Sequence, residues 1–146
     1  MDKKNKANFS FLQKWRLAIV SCMLLFVPVY SCAQNYSDEE MQPKAAKAAG
    51  LARAVILYAK NNPVETASLD DRELVRRATS FDPDLLRFYD GLVVRGTSDG
   101  IILVCTGDGK RGLFEDAECT PEVDRRVWAD RSIPCQFTLK TETICP

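Results

Sequence analysis

Glu115, Asp116 and Glu118 lie within four positions of one another, and Arg125, Arg126 and Arg131 follow soon after. Paired carboxylates can hydrolyse glycosides, one as acid and the other as base or nucleophile, when held about 5 to 9.5 Å apart across a sugar. Adjacent positions on a turn do not set that separation. A solvated acidic loop whose charges pair loosely with the arginines is the plainer reading, and the same side chains would suit the polar rim of a protein contact. Aromatic rings are the second resource. Phe88, Tyr89, Trp128 and Phe137 could form a platform for a sugar or a peptide, because rings offer large area at little entropic cost. Core packing accounts for three of the four. Trp128, beside an inward-facing Val127, is the ring expected at the surface.

Other chemistry is excluded by composition. The chain has no histidine, which removes the commonest general base, the commonest zinc ligand and the usual partner of a Ser or Cys nucleophile. Gly107-Asp108-Gly109-Lys110 is reminiscent of a phosphate loop, but it lacks the P-loop spacing and a Ser or Thr after the lysine. A hairpin turn explains it better. Asp99 and Asp108 are isolated, with no alternating acidic series to ligate calcium. No catalytic residue, metal or cofactor is therefore assigned, and a binding protein is favoured over an enzyme.

The cysteines carry a different kind of chemistry. Of six, Cys22 and Cys32 fall in the N-terminal segment, leaving Cys105, Cys119, Cys135 and Cys145. They contain no Cys-x-x-Cys pair, so structural bridges are expected rather than a zinc ribbon or a redox site. Four cysteines allow three connectivities, and sequence does not choose among them. Neighbour pairing, Cys105 with Cys119 and Cys135 with Cys145, is the working expectation, with Cys119–Cys135 as the alternative.

The N-terminal segment has a basic start, an apolar run over 17–29 and then small residues, the order of an export signal. That run is short of the about 20 residues a membrane span requires. Two cuts compete. Ser31-Cys32-Ala33 suits cleavage after Ala33, which gives a soluble protein. Val29-Tyr30-Ser31-Cys32 resembles a bacterial lipobox, which implies a cut before Cys32 and a lipid on its thiol that would tether the protein to a membrane. The stretch 34–43 is polar enough for a flexible spacer. The basic and acidic totals are both 20, but five basic and one acidic residue lie in the first 33 positions, so the remainder is net −4. Nucleic acid is a poor partner for such a surface.

Elements must position whatever site exists. Pro43 at a first helical position and the Ala-rich 44–60 predict a helix ended by Asn61-Asn62-Pro63. Leu69, Asp70, Glu73 and Leu74 occupy the places of a capping box with its hydrophobic staple, predicting a helix to about Thr79. Phe81-Asp82-Pro83 repeats the device before a short helix, with Phe81 stapling onto Leu86. Strands are expected at 92–94, 101–105 and 113–114, joined by turns at 96–100 and 106–110, a three-stranded meander. The apolar run 101–105 reads as a central strand covered on both faces. A brief helix from Thr120-Pro121 through Val123, Val127 and Trp128, and a fourth strand at Phe137 and Leu139, would complete one domain over 44–146.

The expected fold is α+β: two or three N-terminal helices on a small antiparallel meander, its C-terminal half stapled by two disulfides. The expected role is an exported interaction, accessory or inhibitor module in the bacterial periplasm, membrane-tethered or secreted, binding an envelope protein or polysaccharide. A small polysaccharide hydrolase using Glu115 and Glu118, or a sugar- or ligand-binding module around Trp128, is the alternative.

Overall fold

The computed structural model describes residues 36–117, 125–129 and 131–144. The expected export signal with Cys32, and Glu118, Cys119 and Cys145, lie outside the described residues.

Helix α1, Asp38–Asn61, begins earlier than Pro43. Ser37 caps it, its hydroxyl oxygen accepting from the Glu40 N–H at 3.2 Å, and Asp38, Glu39 and Glu40 place negative charge on the first turn where the helix dipole favours it. Pro43 sits inside the helix and forgoes one backbone bond, a loss offset by full burial of Met41 and Ala45 on either side. The expected flexible spacer over 34–43 is therefore corrected: from Asp38 onward it is helix. Lys44 and Lys47 fall beyond the first turn. Lys44 Nζ donates to the Phe88 carbonyl at 2.8 Å and Lys47 lies over the Phe88 ring, while the Tyr89 hydroxyl donates back to the Lys44 carbonyl at 2.8 Å.

One-turn helix α2, Pro63–Thr66, follows the stop at Asn62. Helix α3, Asp71–Ala78, starts where the capping box predicts, with Asp70 Oδ1 accepting from the N–H groups of Arg72 and Glu73 at 3.0 and 2.8 Å. Only half of the box forms, because the Glu73 carboxylate turns to Arg76 and Arg77. One-turn α4, Asp84–Arg87, has no side-chain cap from Asp82, and the expected staple is absent: Phe81 is 71% exposed.

Strands β1, Val93–Gly96, β2, Ile101–Cys105, and β3, Gly112–Ala117, form the expected antiparallel meander. In the β2–β3 turn Gly109 takes φ +69°, a left-handed conformation that favours glycine, and Asp108 accepts from the Thr106 hydroxyl and the Lys110 N–H. Strand β4, Arg126–Val127, pairs with β3 and completes the order β1-β2-β3-β4. Val127 is therefore in a strand, correcting its place in the expected helix. The fourth strand is not at Phe137 and Leu139, which carry no regular structure.

Even-numbered positions of β1 and β2 (Val94, Ile102, Val104), with Phe114 of β3, face α1 and α3 in the main core. The odd positions Ile101, Leu103 and Cys105 face the C-terminal tail, which lays Ile133, Cys135, Phe137 and Leu139 over them. β2 is thus buried at every position, as a strand covered on both faces must be. The tail brings Cys135 over the end of β2, and Cys105 bridges to it with Cα atoms 5.7 Å apart. This corrects both the neighbour pairing and the Cys119–Cys135 alternative. Sequence distance misled because the tail doubles back across the sheet, so residues 30 apart meet. A one-turn helix α5, Thr141–Ile144, closes the described chain.

Candidate functional site

The acidic cluster is divided by strand geometry. Glu115 and Asp116 are consecutive in β3, so their side chains leave opposite faces of the sheet. Glu115 points to the tail and is fully buried. Its Oε1 accepts from the N–H groups of Thr138 and Leu139 at 2.8 and 3.0 Å, and its Oε2 from the Thr138 hydroxyl at 2.6 Å. Arg126 in turn donates to that hydroxyl at 3.1 Å. At Thr138 and Leu139, tail and carboxylate thus satisfy each other without a strand ladder.

Asp116 faces the helices and is buried, 3.6 Å from the Arg125 guanidinium. Desolvation pushes its carboxyl above the usual aspartate range, against the opposing pull of Arg125 and of the Ala117 N–H. Burial raises the Tyr89 phenol too, with the Asp116 charge adding to it. Glu115 and Asp116 do not face one another across a cleft, as acid and base on a sugar must.

Trp128 is not the exposed ring. It is 8% exposed and packs with Leu103 against the Cys105–Cys135 bridge. Phe137 is half-buried and lies under the Arg95 guanidinium, 5.2 Å from ring centre to charge. Arg95 also donates to Asp71 and to the Cys135 carbonyl, tying α3 to the bridge. Tyr89 is buried, and Phe88, at 51%, is the exposed member of the expected four.

A concave surface among the described residues lies elsewhere. A recess of about 250 Å³ opens between α3 and β1. Its apolar lining comes from Val75, Leu86, Leu92 and Val94, with Arg72, Arg76 and Asp90 around it. Arg76 is bound to Glu73, whose carboxyl is held down to about 2 by hydrogen bonds from Arg76 first and Arg77 second. Arg72 is exposed, and its guanidinium has no hydrogen bond or ion pair among the described residues. It lies over Gly109, where an added Cβ would stand 3.0 Å from Nη2.

The chain matches no family model, no curated protein and no solved structure. Among the described residues no group of three or more His, Cys, Asp or Glu could hold a metal, and no helix is long and apolar enough to cross a membrane.

Sequence reasoning missed this recess, although two signals were present. Arg72 is a cation in the first turn of a well-capped helix, the unfavourable end of the dipole. β1 is the first strand of a meander and therefore one of its edges.

Proposed function

We propose that this chain is an exported, disulfide-stabilised interaction module of the bacterial envelope, which binds another macromolecule and catalyses no reaction. The observation that carries the reading is the recess between α3 and β1. It combines an apolar lining with an arginine that no carboxylate of the described fold engages, the composition of a surface built for a partner. The large apolar side chains left in water, Phe81 at 71% and Leu57 at 57% around a second recess, add to it. The most conspicuous carboxylate, Glu115, is used up in holding the tail.

Export is carried by the N-terminal segment, cut before Cys32 with lipid attachment or after Ala33 without it. The oxidising compartment beyond the membrane completes the framework. With Cys105 joined to Cys135, the pairing left to the other two cysteines of the exported part is Cys119 with Cys145.

Saturating chemical crosslinking in intact cells, followed by purification of this chain and mass spectrometry, tests the proposal. A reproducible envelope partner is expected. Recovery of the chain without any reproducible partner would overturn it.

A further inference from the structure

Strand β1 is an outer strand of the sheet, and the direction of its backbone groups follows from the hairpin beside it. The Thr97 N–H donates to the Ile101 carbonyl at 3.0 Å, and the register then sets Gly96 opposite Ile102 and Arg95 opposite Leu103. Hydrogen-bonded and non-hydrogen-bonded pairs alternate along an antiparallel ladder. Val93 and Arg95 therefore turn their N–H and C=O groups inward to β2, and Val94 and Gly96 turn theirs outward.

Neither Val94 nor Gly96 has a backbone hydrogen bond beyond that ladder among the described residues. Gly96 is closed off by α3: a Cβ there would stand 2.7 Å from Val75 Cγ2. Val94 is half-buried and borders the recess. An open strand edge is a template for another extended chain. Here the template, an apolar lining and the unengaged guanidinium of Arg72 occur at one place.

We propose that the recess between α3 and β1 receives an extended peptide segment of a partner protein, which adds as a strand at Val94 and sets a carboxylate on Arg72. This rests on the interaction-module reading and names its mode. Backbone pairing would supply affinity and the recess selectivity, as in other strand-addition complexes. A guanidinium can take a carboxylate through two parallel hydrogen bonds, a geometry a lysine cannot copy. Asp90 on the same rim opposes a strongly acidic segment, so a single carboxylate fits best.

Two pools of random heptapeptides, one with free and one with amidated C-termini, are passed over the immobilised exported chain. Peptides that bind are then titrated into the ¹⁵N-labelled protein. Selected peptides are expected to carry a carboxylate and to move the amide signal of Val94 most. Arg72→Glu is expected to weaken binding at least tenfold with no loss of thermal stability, and N-methylation of alternate peptide bonds should abolish it without altering the protein. Enrichment confined to the free pool would assign a terminal carboxylate, and enrichment in both pools an acidic side chain. Selection of no peptide, binding without a carboxylate, binding that survives every N-methylation, or a dimer formed through β1 in place of peptide binding would overturn the proposal. Should Arg72→Glu retain a crosslinked partner undiminished, the module reading stands and this mode of binding falls.

Discussion

The Glu115 carboxylate, fully buried, accepts hydrogen bonds from two consecutive residues of the tail. Truncation would leave the Thr138 and Leu139 N–H groups without that acceptor. Glu115→Ala is therefore expected to cost about 3 to 5 kcal/mol, and Glu115→Gln a smaller amount, because its amide oxygen can still accept from the two N–H groups. Urea denaturation of both variants measures this; a cost below about 1 kcal/mol for Glu115→Ala would show that the tail is held by other means. The cluster's charge was legible in the sequence and its division was not. A strand that ends at Phe114 leaves Glu115 and Asp116 in a loop, whereas β3 runs on to Ala117 and sends them to opposite faces. Patterning rules do not anticipate two buried carboxylates in one strand, because each depends on partners brought from elsewhere.

Local signals predicted elements well where a single residue supplies the reason. Asp70 caps α3 and Asp108-Gly109 turns the hairpin through contacts within a few residues of themselves. The start of α1 failed because Pro43 reads as a first-turn residue, yet burial of Met41 extends the helix past it. At Phe137 and Leu139 the tail failed as a strand because the Thr138 and Leu139 N–H groups bond the Glu115 carboxylate instead of a neighbouring strand. Helix α3 carries its own pH dependence. Hydrogen bonds from Arg76, then Arg77, hold Glu73 down to about 2, against an ordinary value of 4.5. Its ionised form stabilises the fold above about pH 4.5, and that contribution is lost as pH falls through about 2. The difference in melting temperature between the native chain and Glu73→Gln is expected to be largest above pH 4.5 and to shrink towards pH 2. A difference that stays constant across this window would contradict the assignment. The recess beside α3 was legible only in parts, for the first-turn arginine and the edge strand are visible separately in sequence and meet only through the packing of α3 on β1.

At the scale of the molecule, helices cover one face of the sheet and an irregular tail covers the other, so the tail side depends on covalent and buried polar ties. The Cys105–Cys135 bridge closes 30 residues, worth about 3 to 4 kcal/mol by loop-closure entropy, and Trp128 and Arg95 pack or bond beside it. Oxidation is therefore inseparable from the stability of this fold, and the proposed export would leave its own chemical record on the purified chain. Peptide mapping under non-reducing conditions, on protein purified from the cells that make it, reads both in one measurement. The predicted result is a Cys105–Cys135 link, a Cys119–Cys145 link, and an N-terminus at lipid-bearing Cys32 or at Gln34. A Cys105–Cys119 or Cys135–Cys145 link, free thiols at all four positions, or an N-terminus still at Met1 would contradict the account.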